Sequence, residues 1–231
     1  MTNTVVTSQP KQRLNFIDYL RGIAVLWMIE VHVVDICLAT TLKDGWFYNV
    51  INISNGFVSV CFITCAGAGF ALAADRKANE YRAFQPALWQ YLKRLSHILL
   101  LAFWLHLPAF SLQRTLQSSY QEWLRLLECD VLHTIVYSSI AALVLLMLIK
   151  NTTIRTSIYA LLAAVFFFAT PFVWQWDSFQ SLPMFFATWF AKQPISKFPV
   201  FPFAGYFFAG AALTGFFLQT PDKTLFAKRG A

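Results

Sequence analysis

The chain has 231 residues, of which 58% are hydrophobic, 17% aromatic and only 13% charged, against roughly 45–50% apolar and about 25% charged in a soluble domain. That balance excludes a disordered tail. It also excludes a nucleic-acid partner, because the net charge of +7 has no soluble basic face to gather on. The four cysteines, Cys37, Cys61, Cys65 and Cys129, form no CxxC pair and have no histidine at zinc-ligand spacing, so no metal site and no disulfide-stapled domain is expected.

The expected fold is all-α: one integral membrane domain over 1–231, a polytopic helix bundle with about six spans. A polar cytoplasmic segment, 1–13, comes first. The first apolar run holds Arg21, Glu30, His32 and Asp35, which a cleavable signal peptide does not tolerate, so it reads as a retained helix. The predicted spans are Ile23 to Leu42, Gly56 to Ala74, Leu95 to Leu112, Val131 to Ile149, Ser157 to Val173 and Phe201 to Leu218. At 1.5 Å per residue they are roughly 26–30 Å long, close to a hydrocarbon core of about 30 Å. Alternate segments carry 13 Lys and Arg against 5, which places both termini in the cytoplasm of a protein of the cell membrane.

Trp46, Phe47 and Tyr48 follow the first span as an interfacial belt. Cys61, Cys65, Gly69 and Ala73 recur every four residues in the second, a stripe expected to pack against another helix. Gly205, Gly210 and Gly215 read the same way in the sixth. The aromatic segment from Trp174 to Pro202, with Trp176, Phe179, Trp189 and Phe190, is expected to lie on the outer surface or re-enter it.

The first span carries the candidate chemistry. A central Asp costs about 2.5–3.5 kcal/mol on insertion, while each Leu or Val returns only about 0.3–0.6. Its polar residues must therefore face protein or a water-filled cavity. At 100° per residue, Asp18, Arg21, Val25, Met28, His32 and Asp35 share a sector of about 100°, with Glu30 nearly opposite. Arg21 sits at the cytoplasmic mouth and His32 roughly 16 Å deeper. A bland reading has Arg21 pairing with Asp18 and His32 as a hydrogen-bonded bundle residue.

The run Asn15-Phe-Ile-Asp-Tyr-Leu-Arg-Gly-Ile-Ala-Val-Leu-Trp-Met-Ile-Glu-Val-His32 resembles the opening helix of integral membrane acyltransferases. The resemblance is closest to bacterial relatives of heparan-alpha-glucosaminide N-acetyltransferase. Gly56 to Phe70, Asp130-Val-Leu-His133 and Phe198 to Gly205 resemble later landmarks of that family. Two departures are visible. Lys43-Asp44-Gly45-Trp46 stands where human-type members carry an outer-loop histidine, and the chain ends at Lys228-Arg-Gly-Ala, so a C-terminally incomplete domain is expected.

The resemblance implies transfer of an acetyl or other acyl group from acyl-CoA to an amine or hydroxyl, on a sugar or glycan acceptor, at the lipid bilayer. His32 would take the acceptor's proton or the acyl group itself, and Asp35 would orient its ring. Arg21 would bind a phosphate of acyl-CoA, with Arg76, Lys77, Lys93 and Arg94 nearby; topology alone also explains that basic cluster. His106 and His133 would approach His32 from the outer side. Two alternatives stay open: a transport or export component with a Glu30, His32 and Asp35 relay, and an inactive fragment of the same family.

Overall fold

The computed structural model describes residues 15–175, 182–190, 196 and 198–220. The expected N-terminal segment, Trp176, Phe179 and the C-terminal residues Lys228 to Ala231 lie outside them. Among the described residues every regular element is helical: α1 Asn15–Cys37, α2 Trp46–Arg82, α3 Pro86–Leu105, α4 Leu112–Leu116, α5 Tyr120–Leu124, α6 Val131–Leu148, α7 Thr152–Gln175, α8 Met184–Phe190 and α9 Val200–Gln219.

Four of these, α2, α6, α7 and α9, are long and apolar enough to cross a membrane. α1 and α3 have the length, at 23 and 20 residues, but not the composition. Asp18, Arg21, Glu30 and Asp35 lie within α1, and Lys93 and Arg94 within α3.

α6 and α9 start and stop within a residue of the expected spans, because a cap residue sits at each boundary. Asp130 is the N-cap of α6 and Pro199 that of α9. α2 is instead far longer than its apolar run. Its 37 residues extend about 55 Å, so Trp46 to Tyr48 form its first turn and Asp75 to Arg82 its last turns. α3 likewise begins at Pro86, a residue suited to the first helical turn. Arg76, Lys77, Lys93 and Arg94, expected on a loop, therefore sit on two helices.

The packed centre is formed by α9 lying along α2 and α7, with α6 against α2 and α9. Phe70, Tyr159, Phe207 and Phe208 fill it, and the Tyr159 hydroxyl donates to the Ala142 carbonyl at 3.0 Å. Lipid tails give apolar side chains little reason to leave them, so close backbone approach must hold such helices together. Gly67 and Gly210 allow it. A Cβ on Gly67 would collide with the Phe207 carbonyl, and one on Gly210 with the Thr64 carbonyl. At the α6 C-terminus, Arg82 donates to the Leu146 and Ile149 carbonyls at 3.0 Å each and Arg155 to Ile149 at 3.2 Å. Cations there satisfy free carbonyls and oppose the negative helix end.

α1 stands outside this centre and packs on α2. Ile17 and Ala24 are its buried contacts, while Ile23, Leu26 and Ile36 remain exposed.

Candidate functional site

A cavity of about 470 Å³ opens between α1, α2, α3 and α6. Lys77 and Arg94 line its end nearest the α2 C-terminus and the α3 N-terminal half, and Arg21 of α1 lines it farther along α2, towards Cys65. The Tyr81 and Tyr91 rings stack beside them with centroids 5.7 Å apart. Farther in, the wall turns apolar, and it closes near Leu101 of α3 and Leu132 of α6. From Ala87 to Leu101 the cavity follows α3 for about 21 Å. No carboxylate is among the lining residues. Three cations spaced along a largely apolar wall suit an anionic ligand with an extended apolar or weakly polar tail.

The small-residue stripe on α2 serves this cavity rather than a helix interface. Cys65, Gly69 and Ala73 are on its wall, and a Cβ added at Gly69 would meet nothing within 4 Å. Gly67, two residues away and about 200° round the helix, makes the contact with α9 instead. The glycines of α9 do pack as expected, since a Cβ at Gly205 would meet Phe167 at 2.9 Å and one at Gly215 would meet Thr156 at 2.6 Å.

Of the first-span candidates, Arg21 reaches the cavity and His32 does not. His32 is exposed on an open groove formed by Met28, Ile29, Val33, Ile36 and Cys37 of its own helix. Asp35 does not orient its ring. The Lys43 ammonium lies 3.8 Å from the Asp35 carboxylate and donates to the Asp35 carbonyl at 2.8 Å, so the chain after α1 folds back and claims that charge. Glu30 faces α2, where the Asn55 amide, turned nitrogen-outward, donates to it at 3.2 Å. Glu30 and Asp35 thus have separate partners, and the three residues form no continuous relay.

His106 and His133 are brought together, but not with His32. His133, at the third position of α6, is 1% exposed, and its Nδ1 lies 2.8 Å from Asp130 Oδ1. Asp130 also accepts the His133 backbone N–H at 3.0 Å, as an N-cap does. His106 follows the last turn of α3, with Nδ1 3.8 Å from Asp130 Oδ2 and 2.9 Å from the Ala102 carbonyl. Burial works to raise the Asp130 pKa, but the hydrogen bonds from His133 and the nearby imidazoles prevail and hold it below the ordinary carboxylate value. Next to it, burial pushes the Cys129 thiol up to about 12, which keeps it protonated and unreactive.

His106, Asp130 and His133 offer ligand atoms within 4.8 Å of one another, a grouping able to hold a cation. The 2.8 Å contact, however, already commits one donor atom of His133 and one of Asp130 to a shared proton. From the sequence, Asp130 is named only within the Asp130-Val-Leu-His133 landmark, with no role of its own. The signal was the Asp-x-x-His spacing at a helix start, which makes the aspartate an N-cap and aims the histidine back at it.

No curated protein and no solved structure gives a significant match to the chain. The family described as "Heparan-alpha-glucosaminide N-acetyltransferase, catalytic" matches over residues 13–230, which takes in both the basic cavity and the His106–His133 pair. The chain belongs to that family of membrane acetyltransferases.

Proposed function

We propose that the protein transfers an acetyl or other acyl group from acyl-CoA to an amine or hydroxyl of a sugar or glycan, across or within the cell membrane. The observation that carries this reading is the cavity. Its three cations fit the phosphates of a CoA-type donor, and the apolar wall between and beyond them fits the tail that bears the thioester. Arg21 can grip phosphate in two places at once, whereas Lys77 acts as a point charge. The six-span arrangement with cytoplasmic termini belongs to the same proposal: it puts the cationic end on the side where acyl-CoA is found and the His133 end on the other.

In this reading His32 takes the acceptor's proton or carries the acyl group, and Asp35, tied to Lys43, fixes the outer end of α1. The family match supports the reaction class, and no metal is invoked.

The test is incubation of purified, detergent-solubilised protein with labelled acetyl-CoA and glucosamine. Wild type should label the sugar. His32→Gln should lower turnover by about 10²–10⁴-fold, the usual effect of losing a general base, while acetyl-CoA still binds and the protein elutes unchanged. Comparable turnover in His32→Gln removes that residue from the chemistry. Absence of transfer, hydrolysis and protein labelling in wild type overturns the acyltransferase assignment itself.

A further inference from the structure

The side-chain polar atoms of the described residues include two that are buried with no hydrogen-bond partner, and one is His133 Nε2. A buried imidazole nitrogen left bare is costly. Its electronic state follows from the other side of the ring. The Asp130 backbone N–H approaches Nδ1 at a long 3.4 Å, but with Nδ1 only 2.8 Å from a carboxylate oxygen of an aspartate that stays ionised, the proton of a neutral imidazole belongs on Nδ1. Nε2 then holds a lone pair that points at no donor.

We propose that His133 Nε2 is the base for the acyl acceptor, taking the proton otherwise assigned to His32; the proposal rests on the acyl-transfer reading. The acceptor's O–H or N–H fills the vacant hydrogen bond to Nε2. As its oxygen or nitrogen bonds to the acyl carbon, the proton passes to Nε2, and the bond from that carbon to its leaving group breaks. The leaving group is the CoA thiolate. The imidazolium formed at His133 is stabilised by Asp130, which stays ionised, and it returns the proton from Nε2 to the leaving group. His133 ends as the Nδ1–H tautomer it began as, and the sum is acyl transfer with no net proton change for an alcohol.

The Tyr137 ring is 6.1 Å from that of His133. Tyr137 also walls an aromatic cavity of about 450 Å³ with Trp189 and Phe201. His133 lines neither this cavity nor the basic one, and the acceptor reaches it past Tyr137 of the same helix. Ser138, whose hydroxyl is the other buried atom without a partner, lines that cavity. Aromatic faces with an isolated hydroxyl suit a sugar ring.

Two measurements on the intact detergent-solubilised chain decide the matter. Histidine-selective ¹⁵N NMR, assigned with His133→Gln, should show His133 as the Nδ1–H tautomer; an Nε2–H tautomer overturns the proposal whether or not the protein transfers acyl groups. With labelled acetyl-CoA and glucosamine, His133→Gln should lower turnover about 10²–10⁴-fold and leave acetyl-CoA affinity unchanged. His133→Ala should regain part of that loss on addition of imidazole, and Asp130→Asn, which keeps a capping side chain, should also lose turnover. Wild-type turnover in His133→Gln, or absence of imidazole rescue, returns His133 to a structural role. Loss of wild-type transfer to a chelator, with recovery on adding zinc, would replace the base with a metal site. Failure of wild type to transfer at all counts against the acyltransferase reading, while the tautomer still judges the arrangement of His133.

Discussion

α1 and the α2–α9 pair divide the molecule's tasks in opposite ways. α1 carries Asp18, Arg21, Glu30, His32 and Asp35 within an otherwise apolar helix, yet it lies at the edge on α2, with Ile17 and Ala24 its buried hydrophobic residues among the described side chains. α2 and α9 carry almost no charge where they meet and approach closely enough that no side chain fits at Gly67 or Gly210. In the proposed function, binding of the donor by Arg21 and the stability of the packed centre are therefore held in different helices. A change in α1 should be read in activity with the fold intact, and a change at the α2–α9 contact should be read in the fold.

The same substitution on the two helices sharpens the contrast most. Gly67→Ala puts a methyl group against the Phe207 carbonyl and the Ala211 nitrogen, which are backbone atoms that cannot swing aside. The cost should exceed the roughly 1–3 kcal/mol of ordinary overpacking, and the variant should give little monodisperse protein. Gly22→Ala meets nothing within 4 Å and should gain up to about 1 kcal/mol from helix propensity. Size-exclusion profiles and thermal unfolding in detergent compare them. Equal behaviour of the two variants would abolish the division between edge and centre.

Arg21 tests whether the edge helix truly serves the cavity. Arg21→Ala should weaken acyl-CoA binding about tenfold, the low end of what a charged hydrogen bond contributes, because the mouth is open to solvent. Arg21→Lys should recover only part, and raising the salt concentration should narrow the difference. Gly69→Leu, which fills the cavity between the cations from α2, should weaken binding to a similar extent without altering charge. Titration calorimetry or equilibrium dialysis with acetyl-CoA measures all three. Unchanged affinity in both Arg21→Ala and Gly69→Leu would empty the cavity of its assigned donor.

Much of this division is legible in the sequence, and the exceptions have physical causes. Hydropathy reports which residues lie at membrane depth, so it locates α6 and α9, where caps coincide with the apolar limits. It cuts α2 and α3 short, because both helices continue through Asp75 to Arg82 and from Pro86 to Arg94 outside the apolar run. The 100° rotation correctly puts Glu30 on the face opposite His32, but it cannot show that Lys43 folds back onto Asp35. The four-residue stripe identifies Cys65, Gly69 and Ala73 as one face of α2, yet small residues line a cavity as readily as a helix contact. His133 and Asp130 are one helical turn apart and can be paired by inspection, whereas His106 comes from a different helix and is placed only by the fold.

The smallest expected effect separates two aspartates. Asp35 has a side chain that is 76% exposed and faces Lys43 at 3.8 Å; a pair of that kind contributes about 0–1 kcal/mol, so Asp35→Ala should leave thermal unfolding almost unchanged. Asp130 is 23% exposed, caps α6 and holds His133, and its removal costs an N-cap of roughly 0.5–2 kcal/mol. The pH dependence has a definite sign. Folding depresses the Asp130 pKa below its ordinary 3.8, so the folded state binds this proton less readily than the unfolded chain does. The resulting stability is fully present above the ordinary value and is lost as pH falls through the depressed one. Wild type should therefore keep this increment from neutral pH down to about 4 and lose it below. In Asp130→Asn that part of the acid sensitivity should disappear, while Asp35→Asn retains it. Unfolding midpoints in detergent from pH 7 to pH 3 provide the comparison, and identical acid profiles for wild type and Asp130→Asn would show that the carboxylate at the head of α6 is not held by its histidine.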